Sequence, residues 1–598
     1  MRHPRPCVVP SRAGTSPLRI TAVATAALAA LLATGGAQAF EIDTGNPDIA
    51  IRWDNTVRAN LAARVENRDD KIGNTPAADE GTWLFDQGDM VAKRLDLLSE
   101  LDVIYKKRYG ARISGAGWFD AAYGSNGRSN PNPPLSQIPS YINNVFSSTT
   151  KRLYRGASGE LLDAFVFGGV DLGDVPVNAK AGRHTIYWGE SVYLGGHLHS
   201  VSYAQSPLDL QKGFATPGTE VKELFRPLNQ LSAQAQITDT LSLAGQYLLE
   251  WEPARFPEGG TYLGPVDFAF NGPDRFLVAN LPNNPALGPL AGQGVGFTRG
   301  NAAEPKQRGE WGLAARWTPE LLDGGTAGLY YRDFADKLPQ ALATKVTLSP
   351  ALPGVGRVPL ASGSEYNMIY ADRIQLLGAS IAKNIGSVSA SAEISYRKNM
   401  PLNSQILGVA PGLPEQGETK GPRGNTWHGL VNMLGAIAKT PLFDAATFGA
   451  ELQWMHLDKV TSGETLFNGV GYAPCAAVGT APAKGKWDGC ATSSYVGTSL
   501  AFTPTWFQVL PGVDLSAPMS YAVGLKGNAA VTFGGNQGLG NYTLGLSADV
   551  QQKYRFDLKY VDFVGHYKDN GTSVTAVNGF TTYLVDRGFV SLTFKTTF

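Results

Sequence analysis

The chain has 598 residues, 70 of them glycine, with 10% aromatic and only 17% charged side chains. Basic and acidic residues balance at 51 each, and loss of the first 39 residues, which carry four arginines and no acidic residue, leaves 47 against 51; a mildly acidic chain offers no basic footprint for nucleic acid. The length would allow several soluble domains, but no proline-, serine- or charge-rich linker divides the sequence, so glycine-rich, aromatic-rich, charge-poor composition points to one large β-barrel.

Arg2, Arg5, Arg12 and Arg19 precede an apolar run over 20–33, followed by Ala37-Gln38-Ala39. This pattern predicts a secretory signal over 1–39, cut before Phe40; the run falls short of the roughly 20 apolar residues a spanning helix needs. The predicted barrel occupies 40–598. Ile49, Ile51, Trp53, Asn55, Val57, Ala59 and Leu61 alternate with polar residues and read as the first strand. A hairpin follows, with Leu95, Leu97, Leu101, Val103 and Tyr105 on one face, a turn at Arg108-Tyr109-Gly110 and a second strand over 111–123. Residues 124–150 are polar and rich in Ser, Asn and Pro, a long loop. Strands return over 160–171 and 175–185.

Alternation is lost between 182 and 227. Ser206-Pro207-Leu208-Asp209-Leu210 reads as a helical turn capped by Ser206, with Pro207 at its first position. A departure of this length from strand pattern usually marks a functional loop, and its mixture of charge and aromatics favours the lumen; the expected plug or constriction spans about 189–227. Its candidate lumen residues are Arg183, His184, Tyr187, Trp188, Glu190, Asp209, Lys212, Glu223 and Arg226. At a narrow point charges of both signs would set selectivity; the same charges read equally as salt bridges holding a plug. Tyr193, Tyr203, Phe214 and Phe225 add aromatic surface suited to an amphipathic solute or to packing of the plug itself.

Further strands are predicted over 231–238, 241–251, 310–317, 328–334, 370–383, 387–397, 425–438, 448–457, 495–510, 518–526 and 542–564, with another long loop over 253–309. Cys475 and Cys490, in a Gly/Ala/Pro-rich stretch, are expected to form a disulfide across a surface loop; no His or further Cys lies close enough in sequence to make them a metal site. The last strand places Val590, Leu592, Phe594, Thr596 and Phe598 on one face and Ser591, Thr593, Lys595 and Thr597 on the other. One face suits lipid and the other water, and in a closed barrel this strand must pair with the first. Phe594 and Phe598 are the candidate signal for the barrel assembly machinery.

Several stretches resemble one family, the domain-of-unknown-function family 1302 (DUF1302). They include Asp43-Thr44-Gly45-Asn46-Pro47, Arg52-Trp53-Asp54-Asn55-Thr56, residues 94–102, Leu161-Leu162-Asp163-Ala164-Phe165-Val166 and 182–191. Lys222-Glu223-Leu224-Phe225, Tyr396-Arg397-Lys398-Asn399-Met400-Pro401 and 589–598 complete the set. The resemblance implies an outer-membrane protein of a Gram-negative bacterium, working beside a periplasmic lipoprotein-carrier-like protein and a resistance-nodulation-division type inner-membrane permease. It implies traffic of hydrophobic compounds and carries over no catalytic residue.

The chain therefore reads as all-β, a single transmembrane antiparallel β-barrel of roughly 14–18 strands with an irregular segment folded into the lumen. The expected function is a channel or transporter-like barrel for hydrophobic, amphipathic or aromatic small molecules, without enzymatic activity, cofactor or metal, and with outer-membrane lipid around it. Two alternatives stand beside it. An outer-membrane lipid or ester hydrolase would use His184 with Ser191 and Glu190, although no Gly-x-Ser-x-Gly elbow occurs and a hydrogen-bonded lumen histidine accounts for the same residue. A structural barrel would pass no solute. His197-x-His199 could present two imidazoles to a metal, but no third ligand is evident and a plain loop explains it.

Overall fold

A computed structural model describes residues 40–598 except 133–138, 216–223, 354–355, 406–407, 413–418 and 420. The first half of the barrel wall is built of β1 (Ile49–Arg64), β2 (Met90–Tyr105), β3 (Tyr109–Asp120), β4 (Gly156–Leu172), β5 (Val175–His184), β6 (Leu228–Gln236), β7 (Leu241–Leu248), β8 (Trp311–Trp317) and β9 (Thr326–Phe334). The second half comprises β10 (Ile374–Ile385), β11 (Val388–Pro401), β12 (Arg423–Ile437), β13 (Ala445–Ser462), β14 (Ser494–Leu510), β15 in two pieces (Val513–Ser516 and Met519–Lys526), β16 (Gly540–Val550), β17 (Tyr554–Val564) and β18 (Phe589–Thr597). These 18 strands are antiparallel throughout, and a short strand, Phe40–Ile42, folds back on the start of β1. β18 closes on β1 from Thr56 opposite Thr597 to Arg64 opposite Phe589. Beyond it, Asn55 and Phe598 exchange two backbone hydrogen bonds of 2.8 and 2.9 Å. The closed sheet has no free edge, as a strand surface in hydrocarbon requires.

Period-two alternation explains the outer surface. Leu61, Leu592, Leu558 and Leu546 lie side by side across four neighbouring strands, each 48–49% exposed, an even apolar row that only lipid would cover. Trp53, Tyr105, Tyr109 and Trp317 sit outward near one rim and Tyr247, Trp311 and Trp427 near the other, the two aromatic girdles of a transmembrane barrel. Phe594 shares the outward face with Leu592 but is largely covered, because Tyr554 and Phe556 stack against it at 6.1 and 5.1 Å. A Leu592→Arg variant should lose about 2–4 kcal/mol of barrel stability, read as a lower urea midpoint in liposomes; an unchanged midpoint would remove Leu592 from the lipid face.

Short turns and long connections alternate, so all the short turns lie at one rim. Two of them differ from the sequence expectation. The β2–β3 turn is made by Lys106 and Lys107 (φ +52° and +55°), not by 108–110, and the predicted strand over 542–564 is two strands joined through Gln551 and Gln552 (φ +54° and +55°). In both, ordinary side chains occupy the left-handed region usually given to Gly or Asn, so the turn carries no sequence signal.

The long connections fold over and into the opposite mouth. Inward wall residues Ala314, Tyr330, Phe334, Ile374, Leu376, Met455 and Tyr495 pack with buried residues from the connections, among them Ile72, Val201, Trp251, Phe268, Leu338, Leu402, Phe467, Val531 and Tyr583. A smaller internal sheet (Arg275–Asn280, Gly294–Arg299, Gln340–Lys345, Glu365–Ile369 and Gly408–Val409) stiffens this lid. Cys475 and Cys490 are joined as expected, both buried, with 6.3 Å between their Cα atoms. The helical turn is displaced from its predicted place. The helix runs Leu210–Ala215, and Asp209 accepts from the Lys212 amide at 3.0 Å. Ser206 does not cap it, because Leu208 and Asp209 are drawn into bridges with Phe225 and Arg255.

Candidate functional site

Within residues 185–227, the stretch from Tyr187 to Tyr203 crosses the lumen along the inner face of β9–β13. From Tyr193 onward its backbone makes local turn bonds, such as His197 to Tyr193 and His199 to Gly196, and the wall supplies the partners these leave unmet. Glu393 on β11 accepts from the amides of Glu190 and of Val201, the latter at 2.8 Å. Glu451 on β13 accepts from Val192 at 2.7 Å and Tyr193 at 3.1 Å. The carbonyls are met by guanidinium groups. Arg397 donates to Leu198 (3.1 Å) and Ser200 (2.8 Å), and Arg332 donates to Val201 (3.1 Å) and Tyr203 (2.6 Å). Asn432 donates to the Glu190 carbonyl at 2.6 Å.

Buried peptide groups must find partners, and bonds to charged partners are about twice as strong as neutral ones; here carboxylates hold the amides and guanidiniums hold the carbonyls. The approach is close enough to demand glycine at two positions. A Cβ on Gly189 (φ +82°) would collide with Glu393, and one on Gly196 with Glu451. Beyond the grip, the Tyr203 hydroxyl donates to both oxygens of Asp336 at 2.8 and 2.9 Å, and the Arg397 guanidinium lies 4.4 Å from the Tyr203 ring centroid.

Beneath this segment, towards the short-turn rim, lies a cavity of about 1030 Å³. Its roof is Tyr187, Ser191, Val192 and Tyr193, and its wall comes from β10–β14, including Leu434, Ala436, Thr447 and Thr503. The lining includes no charged side chain among the described residues. An uncharged, largely apolar chamber of this size suits a hydrophobic or amphipathic molecule.

The sequence-derived candidates fall into two groups. Tyr187 roofs the cavity, with its hydroxyl on Ser191. Trp188 is buried beside Tyr330, and Glu190 meets Arg316 and Ser380, each at 3.5 Å. The remaining described charges form a separate network on the β4–β7 side. Arg183 bridges Glu250 (2.8 Å) and Glu252 (3.0 Å), Arg226 pairs with Glu252 (2.6 Å), and Asp209 pairs with Arg255 (2.9 Å), which also holds Glu160 (2.6 Å). Lys212 lies on the short helix beside Asp209, and Glu223 lies outside the described residues. His184 hydrogen-bonds the Gly182 carbonyl (2.9 Å) and Ser232 (2.8 Å) rather than Ser191. His199 stacks on His428, 2.9 Å between their Nδ1 atoms, and His197 bonds Ser202 at 3.2 Å. Burial, with Arg397 nearby, pushes both His197 and His199 down to about 3, so both are uncharged at neutral pH.

The wall residues that grip the segment were not among the candidates. A signal existed: Arg332, Glu393, Arg397, His428 and Glu451 all fall on the inward parity of neighbouring strands.

The lid carries its own pH dependence. Glu258 is fully buried, accepts from the amides of Asn271 (2.9 Å) and Gly272 (2.6 Å), and is pushed up to about 7 by burial. Burial likewise raises Asp267 to about 6, and it raises Asp79 and Glu80 together with repulsion from Asp267. A carboxyl raised in the fold favours the protonated state, so its contribution is complete below about 4.5 and is lost as pH rises through about 7, amounting to about 3 kcal/mol for Glu258. Hydrogen exchange of 256–272 should therefore be slower at pH 5 than at pH 8 after correction for intrinsic rates, and Glu258→Gln should reduce the difference. An equal difference in the variant would assign it elsewhere.

Among solved structures, three barrels illustrate the general likeness. OccAB1 of Acinetobacter baumannii covers 94% of this chain and 99% of its own at 8% identity, TM-score 0.40. A BenF-like porin of Pseudomonas fluorescens Pf-5 covers 92% and 98% at 10% identity, TM-score 0.39. OpdK of Pseudomonas aeruginosa, solved with vanillate, covers 92% and 98% at 9% identity, TM-score 0.36. Likeness at this level bears no functional inference. No curated protein matches the chain. The model of the family described as "Protein of unknown function (DUF1302)" matches residues 20–598, nearly the whole sequence, and the chain belongs to that family.

Proposed function

We propose that the protein is an outer-membrane channel or transporter-like barrel of a Gram-negative envelope that passes hydrophobic, amphipathic or aromatic small molecules, with the segment around 189–227 as its constriction. The observation that carries the reading is the uncharged cavity roofed by Tyr187, Ser191, Val192 and Tyr193, at the point where charged wall groups hold an irregular strap across the lumen. A purely structural barrel has no need of a chamber under a strap hung on its wall by replaceable hydrogen bonds. The short turns face the periplasm in this reading, so the cavity lies on the side from which a periplasmic carrier-like protein and an inner-membrane permease would exchange solute.

The charged network of Arg183, Arg226, Arg255, Glu250 and Glu252 anchors the descending ends of the strap, and Phe594 with Phe598 serves the assembly machinery. Planar-bilayer recordings of the native protein and of a variant lacking residues 194–206 test the reading. Discrete conductance that rises on deletion is expected. A barrel that is heat-modifiable on gels yet silent in both forms would overturn it.

A further inference from the structure

The wall beside the cavity is not uniform. On one edge β14 is zipped to β13 without interruption, from Ala445 opposite Thr505 to His456 opposite Ser494. Its other edge, against β15, is different. Between Thr503 and Leu510 only Thr505, Trp506 and Leu510 have register partners on β15; 507–509 bulge out beside the turn, the Gln508 amide donating to Asp514 on β15 at 2.7 Å and the Phe507 amide to Asp444 at 3.1 Å. The interruption above Thr505 has a chemical cause. The register is the same on both sides of it, which sets Pro504 opposite Ala517 and Thr503 opposite Pro518. The Ala517 amide donates to the Pro504 carbonyl at 2.9 Å, but Pro504 has no N–H to return, and Pro518 lacks one on its other edge, towards Gly545.

Proline is normally confined to edge strands or bulges. Here two stand in the interior of a closed wall on adjoining strands. Pro518 sits close to the strand opposite it, where a Cβ on Gly545 would lie 3.0 Å from the proline ring.

Position gives the seam its meaning. Thr503 and Ala501, on the strand that borders it, line the cavity. Outside, the same sector presents Phe507, Val509 and Leu510, all exposed, with Leu442 on the neighbouring turn. An uncharged chamber inside and an apolar surface outside thus flank the part of the β14–β15 ladder that is interrupted at Pro504, in the short-turn half of the wall. Opposite Pro504 the Ala517 carbonyl has no ladder donor, and in hydrocarbon such a group has no water to turn to, so the interruption costs stability.

We infer that the short-turn half of the β14–β15 seam is a lateral port through which uncharged, single-chain amphiphiles pass between the cavity and the adjoining lipid leaflet. The inference rests on the reading of the barrel as a conduit and adds the route: solute reaches the chamber sideways from the bilayer, without crossing the lid. An amphiphile whose chain prefers lipid to water by many methylene groups would enter an aqueous mouth far more slowly than a side opening into its own phase.

The test places a photoreactive benzophenone side chain at Thr447, which lines the cavity on β13, or at the outward Leu452 of the same strand. Protein in liposomes containing hexadecanol is irradiated, and adducts are read by mass spectrometry. A Thr505→Cys/Ser516→Cys pair, placed on register partners, locks the seam when oxidised; native protein given the same oxidant and reductant controls for the Cys475–Cys490 bridge. A hexadecanol adduct at 447 that is lost on locking and regained on reduction, with the adduct at 452 unchanged, is the expected result. The proline-free variant Pro504→Val/Pro518→Val should lose the 447 adduct without any cross-link.

An adduct at 447 that survives locking, or none at 447 in the unlocked protein while 452 is labelled, overturns the port. Single-channel conductance of the same samples separates the two claims. Conductance without an adduct sinks only the lateral route, and the absence of both sinks the conduit reading as well.

Discussion

Replacing Glu393 and Glu451 together by alanine is expected to convert a mostly closed barrel into a mostly open one. The two carboxylates accept four backbone amides of the inward strap, and a hydrogen bond to a charged partner contributes roughly 1.5–3 kcal/mol. At the lower figure their loss removes about 6 kcal/mol from the attached state, close to the roughly 5.5 kcal/mol that carries a two-state equilibrium from 1:99 to 99:1. Arg332 and Arg397 would still hold the carbonyl side, so the strap should be tethered and mobile rather than lost. Open probability in planar bilayers reads the effect, and Glu393→Gln/Glu451→Gln, which keeps one good acceptor on each side chain, should fall between. An open probability equal to native in a heat-modifiable double-alanine barrel would show that the strap does not limit passage.

The second large effect is expected from Arg587→Ala. This fully buried guanidinium lies just before β18 and donates to the carbonyls of Tyr262 (2.9 Å), Gly264 (2.7 Å) and Ala78 (3.1 Å) and to the Thr82 hydroxyl (3.0 Å). It ties the first and fourth long connections to the start of the last strand. Each buried carbonyl left without a donor costs about 1–3 kcal/mol, so the lid should lose several kcal/mol while the hydrogen-bonded wall is untouched. Limited proteolysis of protein in liposomes should cut 249–310 readily in the variant and slowly in the native chain, with heat-modifiability preserved in both. Arg587→Lys should be intermediate, since an ammonium cannot span the same fan of acceptors. Equal protease resistance in all three would show that the lid does not depend on this anchor.

The wall was legible in the sequence because period two survives wherever one face meets lipid and the other a polar lumen; the run from Tyr554 to Val564 and its partner β18 show this most plainly. Turns built on Lys106-Lys107 and Gln551-Gln552 were not, since nothing in those residue types announces a left-handed backbone. The strap between β5 and β6 was visible as a loss of alternation, and Tyr187, Trp188 and Glu190 do lie on it. What holds it was hidden for a different reason. Glu393, Arg397 and Glu451 look like any lumen-facing polar residue of a strand, and only the fold brings two carboxylates and two guanidiniums, separated in sequence by as much as 119 positions, to one stretch of backbone. The charged cluster that sequence proximity suggested, Arg183 to Arg226, is neutralised by Glu250 and Glu252, which lie at and just past the end of the predicted strand over 241–251, a strand that in the fold stops at Leu248.

Arg64 ends the first strand and Asp586 and Arg587 introduce the last, and when those strands meet, Arg64 bonds Asp586 (3.0 Å) while Arg587 enters its cage of lid carbonyls. Sealing the cylinder and condensing the lid are therefore one event in time. Until the final residues of the chain are in place, the long connections lack their common anchor, and the nascent protein is an open trough with its apolar interior still unpacked. Wall and contents are thus fixed together, by the arrival of the same strand.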